Sequence, residues 1–203
     1  ASTPIPQASI PQRRSRTMGH PTQPVRSTPR EIASIHLPGE RPVMPTYEIA
    51  RTARIEAPAA ACYGVIADYR VGHPAIVPPR AFGPLVVEEG GTGAGTKIRF
   101  TMKALGRERT VRGVVTEPDP GRLLVETYPE SGVVTSFRVE PLGDAACEVT
   151  ISSALPSPGG LRGVLERWFT RTFLLGLYTE ELGRLSDYVL RATAPVARTT
   201  AGA

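Results

Sequence analysis

This chain of 203 residues has almost no lysine, with Lys97 and Lys103 standing beside 22 arginines. Cysteine is as scarce. Cys62 and Cys147 lie far apart and form no C-x-x-C, so neither a disulfide framework nor a zinc site is suggested, and two buried thiols in a reducing cytoplasm are expected. No apolar run approaches the roughly 18 residues of a membrane helix. The nearest, WFTRTFLLGLY, is interrupted by Arg171, so a soluble protein without integral membrane association is expected. Histidine is limited to three positions. There is no G-x-S-x-G, and His20 and His36 fall in a proline-rich segment, which removes the usual serine triad and leaves His73.

Charge is placed unevenly. Residues 1–43 carry six arginines against Glu31 and Glu40, whereas residues 44–192 carry 17 basic and 17 acidic side chains. The basic balance therefore belongs to the ends, and the folded part has no overall pull toward nucleic acid. Residues 1–45 also hold nine of the 21 prolines and few periodic apolar residues. Such a segment buries too little to offset its ordering entropy and should be disordered, as should 192–203.

What the chain has in plenty is glycine at one place, EEGGTGAGTKIRF at 88–100. Gly90 and Gly95 have the separation of a phosphate-binding loop, but Thr96 and Lys97 follow in the wrong order. Nor does a helix follow to supply amides to an anion. Thr96, Ile98, Phe100 and Met102 instead alternate with Lys97, Arg99, Thr101 and Lys103, the period of a half-buried strand, so the glycines read as a turn.

The same period recurs. YEIARTARIEAP is a strand stopped by Pro58. Cys62, Val65, Ile66 and Tyr69 mark a short helix, and RVGHPAIVPP, with three prolines and a glycine, reads as a loop. Six strands follow, and then one long helix from Pro158 to about Arg191. The expected fold is α+β: a seven-stranded antiparallel sheet wrapped around a long C-terminal helix in the order β-α-β6-α, occupying residues 46–191 and enclosing an apolar space.

Several words of the sequence resemble the START-like or SRPBCC superfamily with its helix-grip fold, and in particular the polyketide cyclase/dehydrase and lipid transport members. They are RIEAPAAACYGVIADY at 54–69, EEGGTGAGTKIRF, GVVTEPDPGRLLVE at 113–126 and the Trp-containing C-terminal helix. The resemblance implies a deep cavity for a hydrophobic small molecule, no general cofactor, and either a carrier or a cyclase/dehydratase working by general acid–base catalysis. A monomer or homodimer is expected.

Candidate residues follow from alternation. If Ile49, Ala53 and Ile55 face inward, so does Arg51, and a buried arginine must meet a carboxylate or a ligand oxygen. Arg109 poses the same question, and His73 is a possible acid or base at a cavity mouth. The resemblance to an aromatase/cyclase implies Tyr63, Thr135 or Tyr178 as a hydroxyl partner of such groups; the catalytic candidates are Arg51, Arg109, His73 and Tyr178, with Tyr63 and Thr135 among the ligand-binding ones. The expected inner surface is Ile66, Ile76, Phe82, Ile98, Phe100, Met102, Val111, Phe137, Trp168, Phe169 and Phe173.

Overall fold

The computed structural model describes residues 45–104, 106–157 and 160–193. The segments expected to be disordered, 1–45 and 192–203, lie outside these residues apart from their innermost positions. Strand β1 (Thr46–Ile55) leads into helices α1 (Ala59–Ala67) and α2 (Gly72–Ile76). Strands β2 (Val86–Glu89), β3 (Lys97–Ala104), β4 (Arg107–Asp119), β5 (Leu123–Tyr128), β6 (Val133–Pro141) and β7 (Cys147–Pro156) follow, and helix α3 (Gly160–Thr193) ends the fold. The strands form one antiparallel sheet in the order β1-β7-β6-β5-β4-β3-β2. Strands β2 to β7 meander, and β1 joins at β7, so α1 and α2 carry the chain between the two edges of the sheet.

Alternation builds the inner face. On β3, Ile98 and Phe100 are buried while Lys97 and Lys103 are exposed. On β7, Cys147, Val149, Ile151 and Ser153 point inward in strict succession. Helix α3 covers this face and packs on β1, α1 and α2. At about 1.5 Å per residue its 34 residues extend about 50 Å. Its buried stripe runs through Leu174, Leu177, Tyr178, Glu181, Leu182, Leu185 and Val189, each three or four residues from another member on the same helix face. A glutamate thus occupies a core position of the helix.

One expected loop is partly helical. RVGHPAIVPP contains α2, because Pro74 falls within the first turn, where no intrahelical N–H is needed. Asp68 supplies the missing partners: its carboxylate accepts the amides of Arg70, Val71 and Gly72 at 3.0, 3.2 and 3.2 Å, and its carbonyl accepts that of His73 at 2.7 Å. Gly72 permits the contact with α1, since a Cβ there would lie 2.5 Å from the carbonyl oxygen of Val65.

The glycine loop joins β2 to β3, with Gly90, Gly93 and Gly95 at φ of 68°, 58° and 82°. Its backbone groups are committed to the protein. Gly91 accepts the amide of Tyr69 at 3.0 Å, Gly93 donates to Ala67 at 2.9 Å, and Gly95 donates to Val115 at 3.0 Å. The loop therefore clamps the end of α1 and fixes where Tyr69 stands.

Candidate functional site

A cavity of about 290 Å³ lies between the inner face of the sheet and α3. Exposed or half-exposed groups, among them Phe82, Arg109, Ser131 and Phe169, mark its mouth. Buried His73, Glu126, Phe137 and Glu181 mark its inner end. Most of the wall between them is apolar, contributed by Ile98, Phe100, Met102, Val111, Ile151, Phe173 and Leu174.

Polar groups collect at the inner end. Glu126, Thr135 and Ser153 are direct cross-strand partners on β5, β6 and β7, so alternation places all three in one row on the floor. Tyr178 reaches down from α3 and donates to Ser153 Oγ at 2.6 Å, and Ser153 shares a 2.6 Å hydrogen bond with Thr135. Burial pushes the Tyr178 phenol up to about 12, so it keeps its proton and serves as a donor.

Glu126 is 3% exposed, and both its oxygens are satisfied. Tyr69 donates to Oε1 at 2.6 Å and Tyr128 donates to Oε2. Burial first and the Glu126 charge second push both phenols well above their ordinary range, which keeps them protonated. Two phenol donors suit a carboxylate that has left bulk water. Gly113 on β4 makes room for one of them, since a Cβ there would stand 2.8 Å from the Tyr128 ring.

His73 completes this side. Its ring stacks on Tyr69 with centroids 4.5 Å apart and meets the Phe137 ring edge-on at 5.4 Å. Nδ1 lies 2.8 Å from the carbonyl oxygen of Ile66, which can only accept, so Nδ1 carries a proton. Nε2 then faces Glu126 Oε1 at 3.6 Å, a contact that becomes an ion pair when Nε2 is protonated as well. The expectation of His73 at the cavity mouth is corrected: it stands at the inner end and is 3% exposed, because α2 folds it inward.

Across the cavity from this saturated carboxylate stands Glu181, 4% exposed and without a hydrogen-bond partner among the described residues. Burial, and then the charge of Glu126, push its carboxyl up to about 8. At neutral pH it is mainly the un-ionised acid, an O–H donor facing the cavity.

Of the residues singled out from sequence, the cavity gathers His73, Phe82, Ile98, Phe100, Met102, Arg109, Val111, Thr135, Phe137, Phe169, Phe173 and Tyr178. Five stand elsewhere. Arg51 is exposed in a shallow groove beside Leu182 and Gly183, because β1 is an edge strand from which a long side chain escapes to water. Tyr63 donates to Glu117 Oε1 at 2.5 Å, and Ile66 and Ile76 are packed in the core. Trp168 is 59% exposed, off the buried stripe of α3, with its ring against Phe169. Sequence reasoning missed Tyr69, Glu126, Tyr128, Ser153 and Glu181. The two thiols, remote in sequence, meet in the core with sulfurs 3.4 Å apart, both free. Among the described residues no cluster of metal-ligating side chains occurs and no helix is long and apolar enough to cross a membrane.

Known structures share this architecture. The solution structure of KanY protein is 27% identical, with a TM-score of 0.63 over 72% of this chain and 99% of that one. TTHA0849 of Thermus thermophilus is 19% identical, with a TM-score of 0.61 over 73% of this chain and all of that one. The Zhui aromatase/cyclase of a Streptomyces species is 18% identical, with a TM-score of 0.61 over 75% and 99% of the two chains. No curated protein sequence matches the chain. Residues 46–189, which span the whole sheet and nearly all of α3, match the family described as polyketide cyclase / dehydrase and lipid transport, and the chain belongs to that family.

Proposed function

We propose that the protein binds one small, mostly apolar molecule in the cavity between the sheet and α3. The observation that carries this reading is the cavity itself: about 290 Å³ with an apolar wall, open at one end and polar at the other. A space of this size fits one or two fused rings or a medium-length chain. Burial of that surface drives binding, at roughly 25 cal/mol for each Å² of apolar area removed from water. The polar inner end sets the direction in which the molecule lies. Native mass spectrometry of freshly purified full-length protein tests the proposal. A single co-purifying or added apolar compound at one-to-one stoichiometry is expected. Failure to retain any apolar compound, or retention that is unchanged when the cavity is filled by Val111→Trp, refutes it.

A second reading, a cyclase or dehydratase, is favoured by one observation. Glu181, held as an acid, faces Glu126 and His73, which can take up a proton, across the same small space. Groups whose environments separate their protonation states are what general acid–base catalysis requires. In this reading Glu181 protonates the β-hydroxyl of a β-hydroxy ketone and the His73 and Glu126 side takes the α-proton, so that the C–O bond breaks and the products are the enone and water. Conversion of a β-hydroxy ketone by the wild type but not by Glu181→Gln would distinguish the enzyme from a carrier.

A further inference from the structure

The inner end of the cavity is chemically lopsided. Glu126 has both oxygens filled by phenol donors, and the Tyr178 hydroxyl is spent on Ser153. Glu181 differs, because its carboxyl is nearly sealed from water, lines the cavity and has no hydrogen-bond partner among the described residues. A buried polar group left unpaired is costly, so an empty partner position in a binding cavity is a place for the ligand. No lysine or arginine reaches the inner end among the described residues. Arg109 stays exposed at the mouth, and Arg184, one turn beyond Glu181, turns away to donate to the carbonyl of Ala75 at 3.2 Å.

We infer that Glu181 is the specificity-determining residue of the cavity, donating its carboxyl proton to an uncharged acceptor oxygen, such as a ketone, at the leading end of the ligand, and that anionic amphiphiles such as fatty acids are excluded. This deepens the ligand-binding reading and rests on it. A carboxylate entering head-first would meet the negative charge of Glu126 and a second carboxyl, with no lysine or arginine at the inner end to offset them and with His73 already turned to Glu126. A ketone meets a matched donor. A site built to hydrogen-bond one oxygen discriminates strongly against ligands that leave its buried group unpaired.

The groups around Glu181 determine how binding responds to pH. They are Glu126 and Tyr128 on β5, Tyr69 beyond α1, His73 on α2 and Tyr178 on α3 itself. The three phenols are held protonated, and the other ionisable groups that face Glu181 are Glu126 and His73. Substitution of Glu181 by glutamine keeps a donor and removes one titration, which separates its effect from those of His73 and Glu126.

The test is calorimetric titration of the full chain with four probes of one shape: acetonaphthone, ethylnaphthalene, naphthoate and naphthylmethylamine. Near pH 6 the wild type should bind the ketone roughly tenfold or more tighter than naphthoate, and tighter than ethylnaphthalene. That preference should shrink as pH rises past about 8. In Glu181→Gln the preference for the ketone should survive and lose this pH dependence, and in Glu181→Leu it should vanish while ethylnaphthalene still binds. Should the leucine variant fail to fold, the pH comparison of wild type with the glutamine variant is sufficient. Naphthoate binding as tightly as the ketone, or the amine binding tightest, overturns the inference, the latter by making the carboxyl pair a cation site. Equal binding of ketone and ethylnaphthalene overturns it while leaving the cavity reading intact, and binding of none of the four overturns both.

Discussion

Glu181 should make the protein less stable as the solution becomes alkaline, and Glu181→Gln should remove that loss. The carboxyl titrates near its ordinary value of 4.5 in the unfolded chain and near 8 in the fold, pushed there by burial and then by Glu126. Below the lower value it is protonated in both states and contributes nothing against folding. Between the two, the folded state holds a proton that the unfolded state has released, so unfolding becomes easier with each rise in pH. The slope is about 1.4 kcal/mol per pH unit for one proton, which amounts to roughly 4 to 5 kcal/mol once pH exceeds the folded value. That is a large share of the roughly 5–15 kcal/mol of a typical domain. Urea unfolding of wild type and Glu181→Gln, at intervals from about pH 5 to pH 9, reads the difference directly. The two curves should lie close together at the acid end and diverge steadily, the variant becoming the more stable. Parallel curves over the whole range would show that Glu181 is neither buried nor coupled to Glu126 as described.

Other outcomes follow from the same packing. Tyr69→Phe removes the 2.6 Å hydrogen bond to Glu126 while leaving the ring stacked on His73, and should cost about 1.5 to 3 kcal/mol in urea unfolding, as expected for a bond to a buried charged group. Gly113→Ala would drive a methyl to 2.8 Å from the Tyr128 ring and 3.2 Å from Ile98, so a loss of roughly 1 to 3 kcal/mol and an altered near-ultraviolet tyrosine signal are expected. The Cys62 thiol, pushed up to about 12 by burial and then by its contact with Cys147, should ignore a disulfide reagent in the native protein; both thiols should react only on unfolding.

The strands were legible because period two is a local property. Ile98 and Phe100 announce a buried face whatever lies opposite. The short helix α2 was hidden by its prolines, since their effect depends on position within a turn, and that position is set by the Asp68 cap. For the site, alternation puts Arg51 on the face of Ile49 and Ala53 but carries no information about the edge of the sheet, because strand order is not a local property. Applied to LLVETY, the same alternation would have found Glu126 beside Leu124 on an inward face. Helical spacing likewise contained Glu181, four residues from both Leu177 and Leu185. Reading only apolar residues into the stripe passed over it and drew in Trp168.

The row formed by Glu126, Thr135 and Ser153 lies on three adjacent strands inside the sheet, while the mouth is made of hairpin ends and the first turns of α3 past Trp168. These two regions can change independently. Substitutions around Phe82, Arg109, Ser131 and Phe169 leave every backbone pairing beneath the polar row in place, so they are the positions at which a designer could exchange the tail of the accepted molecule and keep its head. The converse exchange would have to rebuild three strands at once.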